Sequence, residues 1–432
     1  MALGGGFYTS QNKILPGSYI NFVTVKKAQA NISGRGVIAV ALGLDWGPEN
    51  EMITLTADDF MKSSLNVLGY GYSHESLKPI REIFCNAEKL YLYRLNSDGK
   101  RASNAFATAR HPGTRGNALK TIIRKNVDQS TKFDVITMLD DLVVDVQTVA
   151  TTAELSDTPF VVWTKAPLEE TAGMPLTKGE NGTVLGEAHS AFLTKLGGYT
   201  FNALCCSSPD KTTKKFYAAY TERMRDSVGM KFQTILHDEA ADYEGVVNCK
   251  NVVTGADPHS IVFWVAGLLG SIPVNKSALN VKYNGEYDIS CDYAQAELET
   301  AIAAGKFTLH KVNDDVRVLC DINSLVTTSS EKGEDFKSNQ VIRVIDQIAT
   351  DIAVLFNTKY LGVIPNDESG RVGLWADIVK HHEALASIRA IEGFSSDDVK
   401  VDRGEQKNSV VVTDSVHVTG AMAKLYMAIV VG

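Results

Sequence analysis

The stretch RGVIAVALGLDWGPENEMITLTADDF, residues 35–60, decides the fold of this chain. Its first half is a run of small and branched apolar residues, typical of a buried strand, and it ends at the Gly-Pro turn signal of residues 47–48. A shorter strand then leads to Thr56, where acidic residues indicate the first turn of a helix. Further on, residues 77–87 predict a helix and KLYLYRLN (89–96) predicts an apolar strand. Strand, helix, helix and strand form the opening of an α/β core.

Outward from this opening the chain changes character. Residues 97–185 are rich in Thr and Val between short polar turns, which predicts an inserted β domain, and helical patterns return from residue 186. The predicted fold class is therefore multidomain α/β (α+β), with an α/β core built from N- and C-terminal parts, an inserted β-sandwich-like domain and extended terminal arms. We expect six parts: an N-terminal arm (1–25), a first part of the α/β core (26–96), the inserted β domain (97–185), the main α/β domain (186–330), a C-terminal core domain (331–420) and a C-terminal strand or arm (421–432).

Both ends of the chain carry strand patterns. A Gly-rich leader precedes SYINFVTVKK (18–27), in which apolar and polar residues alternate with a ragged start. The last pattern, AMAKLYMAIVVG (421–432), is apolar on both faces, so a strand there has to be covered on both sides. Two interpretations stay open: a buried strand of its own subunit, or a strand that completes a sheet of another copy.

Composition narrows the classes of function. The chain has 432 residues, with 43 Lys and Arg against 51 Asp and Glu, and its net charge of −8 gives no positive field for nucleic acid or an anionic membrane. Its longest apolar run, residues 261–274, is too short and too rich in Gly and Pro to insert into a membrane. Six scattered cysteines and the absence of a secretory signal pattern predict a reducing, cytoplasmic setting.

The motifs of common enzymes are missing or incomplete. GYGYSH (69–74) has a histidine where a dinucleotide fingerprint needs its third glycine, and the chain contains no Walker A phosphate loop. His381 and His382 resemble half of a zinc helix, but Ala386 occupies the place of the second ligand, so we predict a solvated helix face. The cysteine pair at 205–206 lies in an apolar strand that points one sulfur to each face, which favours core packing. We predict no catalytic residue, cofactor or metal.

Two charge blocks lie within the predicted β domain. Residues 100–132 are strongly basic, whereas residues 134–157 are acidic. Either the two blocks neutralise each other within one sheet, or they form a bipolar surface that docks identical copies.

Four sequence blocks, in this order, resemble the tail sheath proteins of contractile phage tails and phage-tail-like bacteriocins, especially those in prophages of Gram-positive bacteria. They are LGGGFYTSQNKILPGSYINF near the start, RGVIAVALGLDWGP with ITLTADDF and KLYLYRLN, AELETAIAAGKFTLHKVNDDVRVLCDINSL, and the final AMAKLYMAIVV. Together they span nearly the whole chain. The resemblance implies a structural subunit, assembled in the bacterial cytoplasm, that becomes part of a virion tail or a phage-tail-like particle.

The resemblance also implies partners and contact residues. It implies hexameric rings stacked helically around an inner tail tube protein, with baseplate and tail terminator proteins at the ends, and contraction that drives the tube through a target cell envelope. The residues expected to exchange strands between subunits are Tyr19, Phe22, Val23, Val25, Leu425, Met427, Ile429 and Val431. The residues expected to face the tube are Lys332, Glu334, Lys337 and Arg343. The alternatives are an acidic cytosolic α/β enzyme whose site forms only in three dimensions, and a non-contractile homo-oligomeric tail or shell component.

Overall fold

The computed structural model describes residues 32–431. The predicted N-terminal strand, with Tyr19, Phe22, Val23 and Val25, lies outside these residues. The described chain forms two compact units. The larger, the α/β unit, comprises residues 33–350, 385–393 and 416–431; the smaller, the small unit, comprises residues 351–384 and 394–415. The finer domain limits expected from the sequence stay predictions.

The secondary structure alternates between helices and short strands. The α-helices are α1 (Ala57–Leu68), α2 (Lys78–Phe84), α3 (Ala188–Leu196), α4 (Lys211–Glu222), α5 (Ile261–Ser271), α6 (Gln295–Ala303), α7 (Asn339–Leu355) and α8 (Glu368–Ser387). The strands are β1 (Val37–Leu42), β2 (Met52–Thr56), β3 (Lys89–Arg94), β4 (Asn96–Ser97), β5 (Ala107–Ala109), β6 (Leu119–Lys125), β7 (Phe133–Leu139), β8 (Leu142–Val149), β9 (Val161–Trp163), β10 (Thr171–Pro175), β11 (Thr183–Val184), β12 (Ala203–Cys205), β13 (Gln233–His237), β14 (Val246–Cys249), β15 (Val253–Thr254), β16 (Asp288–Ile289), β17 (Lys306–Phe307), β18 (Leu309–Val312), β19 (Asp315–Val318), β20 (Ile391–Glu392), β21 (Val399–Arg403), β22 (Val410–Asp414) and β23 (His417–Val418).

A seven-stranded sheet is the centre of the α/β unit, with strand order β17-β14-β13-β12-β1-β3-β2. Its neighbours run parallel except for the edge strand β2, which is antiparallel to β3. Ile38 and Val40 of β1 pack on one face in a core with α5, whereas Ala39 and Ala41 join a second core with α3 and α4 on the other face. Because both faces are covered, β1 is apolar at nearly every position, as a parallel strand requires. The buried strand predicted from residues 35–42 is therefore confirmed.

Helix α5 packs directly against α2. It is buried along almost its whole length, and Gly267 faces the backbone of α2. A Cβ atom added at Gly267 would lie 2.4 Å from the carbonyl oxygen of Ile83. Glycine at this position therefore sets the distance between the two helices.

The inserted region forms a β structure of its own within the α/β unit. Its main sheet has the order β10-β6-β7-β8, and β5 pairs with β9 beside it. Arg94, at the end of β3, fastens the region to the core. Its guanidinium is fully buried and donates hydrogen bonds to the carbonyl oxygens of Pro112 (2.7 Å), Gly47 (2.9 Å) and Asn181 (3.0 Å).

The small unit packs the end of α7, most of α8 and the β21–β22 hairpin around an apolar core. This core contains Leu355, Tyr360, Leu374, Ile378 and Val399. Strands β21 and β22 pair antiparallel over their full length. The predicted fold class, a mixed α/β chain of several parts with an inserted β domain, is confirmed.

The close contact at Gly267 leads to a prediction about the stability of the fold. We expect Gly267→Ala to lower the free energy of unfolding by about 1–3 kcal/mol, because the new methyl group overpacks the α2–α5 contact. Urea denaturation of the two proteins measures the change. Gly71→Ala is the matched control, because nothing lies within 4 Å of a Cβ atom added there. Equal unfolding midpoints for wild type and Gly267→Ala would contradict the packing argument.

Candidate assembly surfaces

The C-terminal segment is held to the α/β unit over residues 416–421, which we call the arm root. There β23 pairs antiparallel with β20, so that Val418 lies opposite Ile391 and His417 opposite Glu392. The backbone N–H of Thr419 donates to the carbonyl oxygen of Ala390 at 3.0 Å. Backbone pairing therefore ties residues 417–419 of the root to the α/β unit.

Beyond the root, residues 422–431 form an exposed apolar arm. Leu425 is 85% exposed and Ile429 is 74% exposed, and the other large apolar side chains of the arm are equally accessible: Met422, Tyr426, Met427, Val430 and Val431. No strand is formed there within the single chain. The interpretation of this segment as a buried strand of its own subunit is therefore wrong. A contiguous exposed apolar segment of this kind is typical of an interaction site.

Helix α7 enters the α/β unit through buried ion pairs. Asp346 receives two hydrogen bonds from the Arg225 guanidinium, at 2.6 and 2.8 Å. Arg343 donates to Asp321 at 2.6 Å, and both side chains are almost fully buried. A buried charge without its partner is costly, so these pairs fix the position of the helix along its own axis.

The environment of Asp321 stabilises its charged form. Burial opposes ionisation, but the Arg343 guanidinium and the backbone N–H of Ala278 outweigh it and hold the pKa of Asp321 below its usual value. The Ala278 N–H lies 2.8 Å from the same carboxylate oxygen that accepts from Arg343. The charge of Arg343 therefore has a structural role, as the partner of Asp321.

The segment before α7 is charged and more accessible. Lys332 pairs with Glu244 at 2.7 Å, and Lys337 pairs with Glu334 at 2.9 Å. The Glu334 side chain is 77% exposed, in contrast to the 1% exposure of Arg343. Burial removes Arg343 from the surface, so Lys332, Glu334 and Lys337 remain as tube-facing candidates.

The motifs weighed as enzyme sites have structural roles. His381 and His382 are fully buried, which corrects the prediction of a solvated helix face. His381 pairs with Asp351 at 3.0 Å and His382 with Asp414 at 2.9 Å, so the two rings tie α8 to α7 and to β22 within the small unit. The cysteines at 205 and 206 are buried in the two different cores of the seven-stranded sheet, which confirms the core-packing interpretation.

Over residues 32–431, no group of three or more His, Cys, Asp or Glu side chains is placed to hold a metal ion. Within the same residues, no helix has both the length and the apolar character of a membrane span.

Comparisons with known proteins give a consistent result. Family models match consecutive parts of the chain: tail sheath protein Gp18 domain III N-terminal region (35–95), phage tail sheath protein beta-sandwich domain (97–181), phage tail sheath protein central domain (182–324) and phage tail sheath C-terminal domain (331–432). A solved structure, the sheath tail protein from Desulfitobacterium hafniense, is 32% identical, with a TM-score of 0.83 over 93% of this chain and 96% of that one. The chain belongs to the phage tail sheath family.

Two further matches extend the comparison of this sheath protein. Protein XkdK of the phage-like element PBSX in Bacillus subtilis is 29% identical over 98% of each chain. The predicted resemblance to sheath proteins in prophages of Gram-positive bacteria is thereby confirmed. The helical sheath protein of the anti-feeding prophage, solved in its contracted state, shares the fold with a TM-score of 0.57 at 13% identity over 97% of this chain and 99% of that one. Family membership favours a structural role over the enzyme considered above.

Sequence reasoning missed the polar face of α7 in this sheath protein. Besides the apolar residues at helical spacing, a second set of polar residues recurs along α7 with the same helical period. These residues are Asn339, Gln340, Arg343, Asp346 and Gln347, and all of them are buried. One apolar and one polar stripe, both at helical spacing, are visible in the sequence of this helix. They could have indicated that its polar face packs against buried polar partners.

The Asp321–Arg343 pair leads to a prediction about how the free energy of unfolding depends on pH. We expect Asp321→Asn to cost about 3–5 kcal/mol of unfolding free energy at pH 7, because Arg343 keeps its buried charge without a carboxylate partner. The pKa of Asp321 is lower in the folded than in the unfolded chain, so the stability from its charge is present above the unfolded pKa and is lost as pH falls through the folded pKa.

The free-energy gap between wild type and variant should therefore narrow below about pH 4. Urea denaturation between pH 3 and pH 7 measures this gap. The exposed Asp141→Asn serves as the control and should show no comparable loss. A gap of constant size across this range would contradict the role assigned to the Asp321 charge.

Proposed function

We propose that this chain polymerises as hexameric rings, stacked helically around an inner tail tube, and that the sheath contracts to drive the tube through a target cell envelope. The proposed partners are further copies of the chain, the inner tail tube protein, and the baseplate and tail terminator proteins. The observation that carries the proposal is the exposed apolar arm of residues 422–431.

The arm is chemically suited to strand addition. Leu425, Met427, Ile429 and Val431 fall on one side of an extended chain, and the residues between them on the other, so pairing with a neighbour's sheet edge would cover both. Such pairing adds a row of main-chain hydrogen bonds and buries apolar surface at the same time. We include Tyr19, Phe22, Val23 and Val25 of the N-terminal strand pattern in the same exchange.

An arm that leaves one copy and enters the next makes a head-to-tail contact. Contacts of this type are not self-complementary, so they extend into rings or open helices. Gly420 lies near the end of the arm root, and nothing lies within 4 Å of a Cβ atom added there. The arm beyond Ala421 forms no strand within the single chain, so it can turn while its pairing with a neighbour is kept, which a contracting lattice requires.

The segment before α7 is proposed to face the tube. Lys332, Glu334 and Lys337 form a short, mixed-charge surface on a part of the chain that Asp321 and Arg343 hold in place. A surface of this kind would select position and orientation on the tube more than it would add affinity.

Negative-stain electron microscopy of the purified full-length chain tests the assembly. We expect striated tubes, and we expect two populations of different length and width when the chain is assembled with its tube protein and then released from it. Tubes of a single width under both conditions would support the non-contractile tail or shell component instead. Compact particles that never assemble would count against the proposal as a whole.

Ile429→Asp tests strand exchange. The side chain is 74% exposed in the single chain, so we expect a folded monomer with an unchanged cooperative melt. Polymerisation should fail, because the new carboxylate would be buried between copies. Size-exclusion chromatography with thermal melting reads out both properties. Val127→Asp, at a 94% exposed position of the inserted region, is the control and should assemble normally. Normal tubes from Ile429→Asp would reject the exchange.

Glu334→Lys tests the tube-facing surface. The ion pair it breaks is largely exposed and contributes at most about 1 kcal/mol, so the fold and self-assembly should be unaffected. We expect weaker co-sedimentation with the purified inner tube protein, because the charge pattern of the contact is reversed locally. The exposed Glu169→Lys in the inserted region is the control. Equal co-sedimentation of both variants would remove this segment from the tube contact.

A further inference from the structure

The side chain of Gln340 joins helix α7 to the arm root. Its Nε2 donates to the carbonyl oxygen of Thr419 at 3.0 Å, and its Oε1 accepts from the backbone N–H of Ala421 at 3.1 Å. Gln340 is buried, whereas Gly420 and Ala421 are exposed. The Ala421 N–H is the last backbone group before the exposed arm with a hydrogen bond to the α/β unit.

This pair of hydrogen bonds reproduces the pairing of a parallel strand. In a parallel ladder, one residue accepts from and donates to two residues of its neighbour that are separated by one position. The Gln340 amide does the same with Thr419 and Ala421, and so it takes the place of a strand residue alongside Gly420. Without this partner, Gly420 would not be held in one backbone conformation. Ordering it would then cost more conformational entropy than ordering any other type of residue.

Gln340 is itself held rigidly. Its neighbour Asn339 accepts from the Gln233 amide at 2.8 Å and donates to the carbonyl oxygen of Ile322 at 2.9 Å. One turn further along α7, Arg343 is fixed by Asp321. The amide therefore presents its donor and acceptor from a fixed place on the α/β unit.

We propose that Gln340 is the positioning residue of the C-terminal arm: its amide holds Gly420 extended and so sets the direction in which the arm leaves the subunit. This inference rests on the strand exchange proposed above. A fixed direction removes part of the ordering cost at the moment when the arm enters a neighbouring copy, which is the general effect of preorganisation. Gln340 would not touch the neighbour; it would act through the backbone of the arm root.

The first test uses the unassembled subunit. Gln340→Met keeps the length of the side chain and removes both hydrogen bonds. We expect hydrogen exchange at the Ala421 amide to rise about fivefold, while the Thr419 amide, which bonds to Ala390, keeps its rate. An unchanged Ala421 rate in this variant would overturn the proposal.

The second test measures assembly. We expect Gln340→Met to raise the protein concentration needed for tube formation about tenfold, measured by sedimentation. Gln347→Met is the matched control, because it replaces another buried glutamine of the same helix, whose amide donates to Ser33 Oγ at 2.6 Å. Equal loss of assembly in both variants would show that Gln340 acts only through helix stability, and would overturn the proposal.

A rescue separates positioning from general stability. Gly420→Ala narrows the backbone freedom of residue 420 without a steric clash, so in the Gln340→Met background it should restore part of the assembly. Absence of rescue would overturn the claim that the amide acts on Gly420. If a chain lacking residues 422–432 assembled like wild type, that result would instead reject strand exchange between subunits. The hydrogen-exchange rate of the Ala421 amide would still decide whether Gln340 holds the arm root.

Discussion

Two buried ion pairs on one helix are the constraint on which the candidate assembly surfaces depend. Arg225 with Asp346, and Arg343 with Asp321, fix the first turns of α7 against the α/β unit. Apolar contacts are non-directional, so they restrict the position of a helix less specifically than a charge pair does. A buried charge has a single acceptable partner, so these pairs admit one position only. The position of α7 in turn determines where the charged segment before it lies and where the Gln340 amide bonds to the arm root.

The rest of the α/β unit follows from a parallel sheet covered on both faces. Such a sheet needs strands that are apolar throughout and helices that approach closely, and β1 and Gly267 meet these needs. The sheet is the body from which the two candidate contact segments, the arm and the segment before α7, emerge at points set by polar side chains.

The sequence was sufficient for the parts that depend on local patterns. The strand at residues 37–42, the helix beginning after Thr56 and the inserted β region were predictable, because apolar periodicity and turn residues determine them. Arg343 and the histidine pair at 381–382 were misjudged, since a charged or polar residue in a helix looks solvent-facing until its distant partner is known. Asp321 and Asp414 are separated from their partners by 22 and 32 residues, a range that periodicity does not reach.

The attachment of the inserted region by Arg94 tolerates changes in the amino-acid sequence of that region. The guanidinium donates its hydrogen bonds to main-chain carbonyl oxygens, at Gly47, Pro112 and Asn181, and the Glu49 carboxylate lies 3.8 Å away. Carbonyl oxygens are present whatever the side chain, so drift in the rest of the insert leaves this joint intact. Sequence variation in the insert is thereby uncoupled from the α/β body. Loops such as residues 126–132 become natural places to graft foreign peptides for display, without redesign of the body that carries them.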